Sequence, residues 1–487
     1  MTRKTVLTNL FWRFAERCGA QGVSFVVQLV LARLLMPEDY GTVAIVAVII
    51  NILSVFVDSG LGNALIQKKD ADDVDFSTVF YTNVLFCLVL YGLLFATAPL
   101  VSAFYREPQL TALIRVLGLT LVISGVKNVQ QAYVSRNMLF KRFFFATLGG
   151  TLGAALIGIG MALAGLGVWA LVAQQTFNIT MDTLILWLSV KWRPTRAFSL
   201  ERLQGLFSYG WKFVVSGLLD TVYTDLRQMI IGKMYSAGDL AFYNRGEKFP
   251  QFIIQNVNNS IDSVLLPTMS AEQSNVERVR AMTRRSIKTS VYIMAPLMVG
   301  LAVTAPVFIR LLLTEKWLPC VPYLRIFCIT YLFYPIHSAN LNAIKAMGRS
   351  DLFLKLEIQK KIIGMVLLLS SMWFGVMAMA YSMLVSCAAG QLINSWPNRR
   401  LLGYSYRSQI ADILPSVILA LAMGVPVLAV PFAGWNGLFT LTVQILLGGV
   451  IYIGGSALLR LEPFMYLLET AKQLLHRKRA ADADAQA

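Results

Sequence analysis

Long apolar stretches recur along this chain and are separated by short polar segments. Each stretch has about 20 residues, the length that an α-helix needs to cross the hydrocarbon core of a bilayer. Apolar residues make up 56% of the 487 residues, charged residues make up 14%, and the mean hydropathy is +0.62. Because a soluble chain carries about 25% charged residues, the sequence predicts an all-α integral membrane protein.

The apolar pattern predicts fourteen transmembrane helices, with ends defined to within a few residues. They cover residues 9–34, 41–65, 76–104, 109–135, 142–164, 167–190, 206–234, 239–268, 287–313, 320–346, 352–374, 376–396, 409–431 and 437–459. The polar connection 269–288 is expected to form an amphipathic surface helix. The segment after Arg460 is amphipathic at first and then basic, and we interpret it as a cytoplasmic tail.

The basic residues between these helices fall mostly into alternate connections, which is a topology signal. The connections of the other set are nearly free of cations, with Arg106 and Lys316 as their clear members. By the positive-inside rule the basic set is cytoplasmic, so both termini are predicted in the cytoplasm. The basic set contains Lys68 and Lys69; Arg136, Lys141 and Arg142; Lys191, Arg193, Arg196 and Arg202; Arg278, Arg280, Arg284 and Arg285; Lys345 and Arg349; Arg399, Arg400 and Arg407.

This distribution also explains the net charge of +17, which in a soluble domain would suggest nucleic-acid binding. No nucleic-acid partner is therefore predicted. The five cysteines lack CxxC spacing and the two histidines are far apart, so neither a metal site nor a disulfide framework is expected. The sequence contains no GxxxxGK[ST] motif, and no cofactor is predicted.

The two halves of the chain resemble each other. Residues 31–34 and Asp39 align with residues 231–234 and Asp239 at an offset of 200, and residues 114–116 align with 324–326 at an offset of 210. We therefore predict two six-helix lobes at 1–200 and 201–400, helices 13 and 14 at 401–460, and the tail at 461–487. Repeats of this kind are parallel and related by an axis along the membrane normal, with a substrate site expected between the lobes.

Polar and charged residues follow one face of the first, seventh and eighth predicted helices. Ionisable residues inside a membrane helix are costly, which makes them functional candidates. Two structural interpretations are alternatives to a functional role: these side chains snorkel to the lipid headgroups, or they form ion pairs within a lobe. The candidate substrate-binding residues are Arg13, Arg17, Gln21, Gln28, Lys127, Lys212, Asp220, Tyr223, Arg227, Arg245, Lys248, Gln255 and Asn259.

Cations outnumber the acidic residues Asp58, Asp220 and Asp262, which are candidates for coupling to an ion. If these residues line a cavity between the lobes, its excess of positive charge suits an anion. The guanidinium group of arginine matches the geometry of phosphate oxygens. The amides and aromatic rings suit sugar hydroxyls and ring faces. The pattern therefore favours a phosphate-bearing glycan over a cationic drug.

The run 31–41, followed by Asp58-Ser59-Gly60-Leu61 and Ala64-Leu65-Ile66-Gln67, resembles the first helical hairpin of bacterial polysaccharide flippases. The resemblance is to lipopolysaccharide biosynthesis proteins of the colanic-acid-exporter type, in the polysaccharide transporter branch of the multidrug/oligosaccharidyl-lipid/polysaccharide exporter superfamily. It implies alternating-access movement of an undecaprenyl-diphosphate-linked oligosaccharide across the bacterial cytoplasmic (inner) membrane. Implied partners are this lipid-linked oligosaccharide and membrane lipids, with polysaccharide polymerase and chain-length proteins as further candidates.

Three alternatives remain open at this stage. A drug or small-molecule antiporter of the same fold would be expected to place acidic residues in its cavity. A lipid II flippase of peptidoglycan synthesis differs only in its glycan, which composition does not separate. A membrane glycan polymerase or ligase needs catalytic residues on a sizeable periplasmic loop, and every predicted outer loop has about ten residues or fewer. We therefore expect a transporter and not an enzyme.

Overall fold

A computed structural model of the chain describes residue 19 and residues 21–58, 60–68, 70–470 and 472–473; the side chains of 58, 140–142, 209, 259 and 260 are not described. Within the described residues the regular structure is entirely helical. Clustering of contacts divides the chain into a first unit, Met1–Ala241, and a second unit, Phe242–Ala487. This boundary follows packing, whereas the lobe boundaries at 200 and 400 follow the sequence repeat and remain a prediction.

The first unit contains eight helices and the start of a ninth. They are α1 (Gln21–Leu34, the described part), α2 (Pro37–Asp58), α3 (Leu61–Gln67), α4 (Asp73–Tyr105), α5 (Leu110–Arg136), α6 (Phe140–Leu163), α7 (Val168–Ser189), α8 (Leu200–Met234) and α9 (Ala237–Ala271).

The second unit continues from α9. It contains α10 (Val276–Leu313), a 3₁₀ turn (Glu315–Cys320), α11 (Val321–Leu332), α12 (Tyr334–Ala346), α13 (Ser350–Ser371), α14 (Val376–Leu401), α15 (Tyr406–Ala429) with a 3₁₀ turn (Val430–Ala433), α16 (Gly437–Leu458) and α17 (462–470).

Nine helical segments of the described chain are long and apolar enough to cross a membrane. They are Pro37–Gln67, Asp73–Tyr105, Leu110–Arg136, Phe143–Leu163, Val276–Leu313, Glu315–Ala346, Val376–Leu401, Tyr406–Ala433 and Gly437–Leu458. Large apolar side chains such as Leu156, Phe374 and Leu458 point outward and are largely exposed, as expected for a surface that faces lipid. The prediction of a helical multi-pass membrane protein is confirmed, and the count of fourteen remains a prediction.

Two predicted helices are broken in the structure. The segment predicted at 41–65 is interrupted before α3, where Gly60 leaves helical geometry and lies against α8: a Cβ on Gly210 would come within 3.0 Å of Gly60 backbone atoms. The segment predicted at 320–346 is interrupted at Phe333, just before Pro335. Proline lacks a backbone N–H and clashes with the preceding turn, which explains this second break.

The polar connection 269–288 does not form a separate surface helix, contrary to the sequence-based expectation. Most of it belongs to the first turns of α10, which runs without interruption from Val276 to Leu313. A helix of that length spans about 57 Å, so it extends well beyond the hydrocarbon core.

A buried cluster at one end of the first unit joins α3, α4, α5 and α7. Phe76 lies at the centre of it and packs its ring against Tyr133 and Trp192, which stack on each other. Helix α8 packs against α2, α3 and α4 of the same unit. At the start of α2, Gly41 permits a close approach, because a Cβ there would lie 1.7 Å from the backbone oxygen of Ala237.

In the second unit, α10 is the central helix and packs against α11, α12, α15 and α16. Tyr292 ties α10 to α16, because its hydroxyl bonds to Ser456 Oγ at 3.0 Å and its carbonyl accepts from Tyr452 at 2.8 Å. Lys288 contacts both Asp412 of α15 and Glu462 of α17. The last helices are therefore built into the second unit.

Left-handed backbone positions agree with the sequence repeat. Met138 (φ 54°) follows α5 and Gly348 (φ 72°) follows α12, at an offset of 210 residues. Gly165 (φ 76°) and Gly375 (φ 100°) precede α7 and α14 at the same offset. The register of 210 therefore holds from α5 to the start of α7.

Candidate substrate-binding residues

The helices that carry the predicted polar stripes fall outside the nine apolar segments. In the described chain, α8 and α9 are long enough to cross a membrane but too polar to be counted with the nine, and the described part of α1 is short. Helices α7 and α13 are also not among the nine apolar segments. Polar residues in such helices need water or a polar partner at membrane depth.

The α1 and α8 stripes are unevenly exposed. Gln28 is half-buried and donates from Nε2 to Ser24 at 3.3 Å, while Gln21 is exposed. Among the α8 candidates, Lys212 and Asp220 are exposed, whereas Tyr223 and Arg227 are half-buried. Arg13 and Arg17 lie outside the described residues.

The α9 candidates do not share one environment. Arg245 is buried, and its guanidinium lies 4.8 Å from the centre of the Trp317 ring, a cation–π geometry. Lys248 and Gln255 are exposed. The side chain of Asn259 is among those not described. Helical spacing thus predicts a shared helix face for these residues, but it does not show that Arg245 is buried and Lys248 exposed.

Asp262 is held by neutral donors. Its Oδ1 accepts from Ser338 Oγ at 2.7 Å and from Asn342 Nδ2 at 2.6 Å, and its Oδ2 accepts from Asn258 Nδ2 at 2.6 Å. The Asp58 side chain is not described. Among the described residues, no group of three or more His, Cys, Asp or Glu side chains is arranged to hold a metal ion.

Asp225 is a buried acidic residue that the sequence patterns did not single out. Asn51 of α2 donates to its carboxylate, and Gln228 Nε2 donates to Oδ1 at 3.2 Å. It lies off the predicted α8 stripe, so helical spacing does not predict it as a site residue.

Lys127 forms an ion pair with Asp182 of α7. The two side chains are only 16% and 11% exposed, so the pair is largely shielded from water. Lys127 is one of the predicted substrate-binding cations, and this contact agrees with the alternative interpretation that such charges form ion pairs within a lobe. The ammonium group is neutralised by a carboxylate of the same unit.

A polar cavity of about 340 Å³ adjoins this ion pair between α3 and α5. Asn63 of α3 and a row of polar side chains on α5 line it, at the end of both helices that the topology predicts to be cytoplasmic. The α5 row follows one helical face and consists of Ser124, Lys127, Asn128, Gln131 and Ser135. Lys127 of this row was predicted as a site residue from the sequence, whereas the cavity was not predicted, because its facing wall comes from another helix.

The second unit contains a network of buried amides. Asn340 Nδ2 donates to Gln409 Oε1 at 2.8 Å, and Asn340 Oδ1 accepts from Gln409 Nε2 at 3.0 Å and from Asn398 Nδ2 at 2.7 Å. Ser395 adds a bond to Gln409 Oε1 at 3.1 Å. All four side chains are fully buried, so the network ties α12, α14 and α15 together.

Ion pairs join α4 to its neighbours at the predicted cytoplasmic end of the first unit. Lys68 Nζ contacts both oxygens of the buried Asp75 at 2.8 and 2.7 Å. Arg202 of α8 bonds to Asp72, the N-cap residue of α4. The guanidinium of Arg202 and the backbone N–H groups of Asp75 and Val74 lower the pKa of Asp72 from 3.8 to about 2.

Comparison with known proteins agrees with this architecture. The model of a family described as "polysaccharide biosynthesis protein" matches residues 30–322. The succinoglycan biosynthesis transport protein ExoT of Rhizobium meliloti (strain 1021) is 24% identical, over 71% of this chain and 70% of its own. The lipopolysaccharide biosynthesis protein WzxC of Escherichia coli (strain K12) is 23% identical, over 87% and 88%.

Among solved structures, the lipid II flippase MurJ in an inward closed conformation superposes with a TM-score of 0.74. The match covers 93% of this chain and 99% of MurJ, at 15% sequence identity. This likeness shows the fold alone. The resemblance inferred from the first hairpin is confirmed by the family match, and the chain belongs to the polysaccharide biosynthesis protein family.

Proposed function

We propose that this protein is a flippase that moves an undecaprenyl-diphosphate-linked oligosaccharide from the cytoplasmic to the periplasmic leaflet of the bacterial cytoplasmic membrane. The observation that carries the proposal is the family match over residues 30–322. The names of the relatives support it, because ExoT is called a transport protein and both ExoT and WzxC are assigned to polysaccharide biosynthesis. The fold supports it further, because MurJ is a lipid II flippase.

The charges of the polar helices suit the diphosphate. A diphosphate at membrane depth without counter-charge would cost several kcal/mol. Lys212, Arg227 and Lys248 are among the cations of α8 and α9 that could supply it, and Arg13 and Arg17 extend the same stripe pattern in sequence. In this proposal these cations accompany the diphosphate, while the polyprenyl tail stays in lipid.

Both termini are cytoplasmic and the substrate crosses by alternating access, without covalent catalysis by the protein. Asp58, Asp220 and Asp262 are the candidates for coupling the cycle to an ion. Polymerase and chain-length proteins consume the product on the periplasmic side.

Deletion of the gene tests the proposal directly. Surface polysaccharide should be lost and lipid-linked oligosaccharide should accumulate in the membrane, and the wild-type gene should reverse both changes. Arg17→Glu and Arg227→Glu should fail to restore export at normal protein levels. Arg310→Glu is the matched control, because Arg310 is exposed near the predicted outer end of α10.

Normal surface polysaccharide in the deletion strain would contradict the proposed function. Full export by both reversed variants would remove Arg17 and Arg227 from the substrate path and leave the fold assignment intact.

A further inference from the structure

We propose that the polar cavity between α3 and α5 of the first unit is a subsite for an uncharged sugar ring of the substrate. This inference deepens the proposed function and rests on it. The cavity would receive the glycan, whereas the diphosphate would be bound elsewhere by cations.

The chemistry of the lining favours hydroxyl groups over phosphate. Asn63, Asn128 and Gln131 contribute amides, which donate and accept hydrogen bonds, and Ser124 and Ser135 contribute hydroxyls. A sugar hydroxyl also donates and accepts, so it can be satisfied by these groups. The cation of the lining, Lys127, is neutralised by Asp182, so the cavity offers a phosphate no unbalanced positive charge.

Gly62 allows α3 to lie close to the side chain of Asn128, which lines the cavity. A Cβ at this position would lie 2.5 Å from Asn128 Oδ1, so any side chain larger than hydrogen would push into the cavity wall. No left-handed backbone angle requires glycine here, because Gly62 lies within α3. The sequence therefore keeps this position small for reasons of space.

The second unit fills the equivalent space with its own side chain. At the repeat offsets of 200 and 210, Gly62 corresponds to Asp262 and Asn128 corresponds to Ser338. Asp262 bonds to Ser338 at 2.7 Å and to Asn342 at 2.6 Å. The second unit thus places a carboxylate among these donors, whereas the first unit has glycine at the equivalent position.

The position of the cavity fits a substrate that enters from the cytoplasm. It lies at the end of α3 that precedes the basic residues Lys68 and Lys69, and at the end of α5 that precedes Arg136, on the side predicted to be cytoplasmic. The sugar of a substrate in the cytoplasmic leaflet would reach this end of the helices first.

Binding to the full-length protein in lipid nanodiscs tests the subsite. The probes are undecaprenyl diphosphate alone and undecaprenyl diphosphate carrying glucose, galactose or N-acetylglucosamine. At least one sugar-bearing probe should bind the wild type more tightly than the bare lipid. Gln131→Leu should weaken the binding of that probe by about tenfold, the loss expected from about two hydrogen bonds. It should leave the binding of the bare lipid unchanged.

Gly62→Asp tests the same point by copying the residue of the second unit. It should abolish the preference for the sugar-bearing probe, whereas Gly205→Asp should keep it, because no atom lies near a Cβ at Gly205. Asn137→Leu is the matched amide control, since Asn137 is an exposed residue at the end of α5 that does not line the cavity. Thermal unfolding of each variant verifies folding.

Three results would overturn the subsite. They are equal binding of bare and sugar-bearing probes by the wild type, an equal loss for both probes in Gln131→Leu, and unchanged sugar preference in folded Gln131→Leu and Gly62→Asp. Failure of the proposed function would look different, because the wild type would then bind none of the four probes.

Discussion

The first unit holds an open polar cavity at a place where the second unit holds a bonded carboxylate. Gly62 and Asn128 border the cavity, whereas Asp262 and Ser338, their equivalents in the repeat, are joined at 2.7 Å. The same helical pairing therefore serves two purposes. Where the polar groups bond to one another they stabilise the helix packing, and where they line a cavity they can contact a ligand.

The buried amide network of the second unit should give the largest stability effect. Asn340→Leu removes hydrogen bonds to Gln409 and Asn398 in a fully buried site. We expect the free energy of unfolding to fall by about 3 kcal/mol. The matched variant is Gln130→Leu in the first unit, at an offset of 210. It breaks one bond, to the Trp192 carbonyl, and should cost about 1 kcal/mol.

Thermal or denaturant unfolding in one detergent compares the two variants. An equal loss of stability in both would contradict the view that the second unit is the more tightly bonded half.

The ion pair beside the cavity should give the next largest effect. Lys127→Met leaves the largely buried Asp182 without its cation, and because the pair is partly exposed we expect about 2 kcal/mol of destabilisation. Lys127→Met combined with Asp182→Leu should recover most of this loss, because no unpaired charge remains. A double-mutant cycle by unfolding measures the coupling.

The same cycle sharpens the assignment of Lys127. If Lys127 were mainly a phosphate ligand, the single substitution would leave stability unchanged and would weaken the binding of bare undecaprenyl diphosphate. Additive effects of the two substitutions would argue against a structural pair.

Ion pairs at the predicted cytoplasmic end should give the smallest effects, and these should differ between the units. Arg202→Gln breaks an exposed contact with Asp72 and a longer one, 3.6 Å, with the buried Asp75, and should lower stability only slightly at neutral pH. Arg284→Gln should cost more, because Arg284 makes two bonds, at 2.8 and 2.7 Å, to the more buried Asp412.

The Arg202 effect should depend on pH in one direction. The folded pKa of Asp72 is about 2, below the ordinary value of 3.8, so this carboxylate adds stability above its ordinary pKa and loses it as the pH falls towards 2. The stability difference between wild type and Arg202→Gln should therefore be constant above about pH 5 and shrink on acidification. A difference that grows at low pH would contradict this assignment.

The helices were largely predictable because each depends on a local apolar pattern. The breaks at Gly60 and Phe333 were not predicted: the first depends on close contact with α8, and the second depends on how the chain accommodates Pro335. The long α10 was predicted in two pieces, because its polar first turns resemble a connection. Hydropathy alone does not show that a helix continues beyond the membrane.

The candidate site was predictable only in part. Helical spacing identified the polar face that contains Asp262, whereas Lys127 was singled out as an ionisable residue inside a predicted membrane helix. Their partners are distant in sequence, since Asp182 is 55 residues from Lys127 and Ser338 is 76 residues from Asp262. The cavity wall includes Gly62, where the absence of a side chain lets Asn128 lie close by, and no polar pattern in the sequence records that absence.

Translocation by the purified protein in liposomes tests the central claim most directly. The probe is the lipid-linked oligosaccharide extracted from the deletion strain, and an added glycosidase that does not enter the vesicles reports which leaflet holds it. Protein-free liposomes should lose only the outer-leaflet share. Liposomes containing this protein should expose the inner share as well, either unaided or under an imposed proton, sodium or electrical gradient. Cleavage that stops at the outer-leaflet share under every gradient, with folded protein present, would contradict the assignment as a flippase.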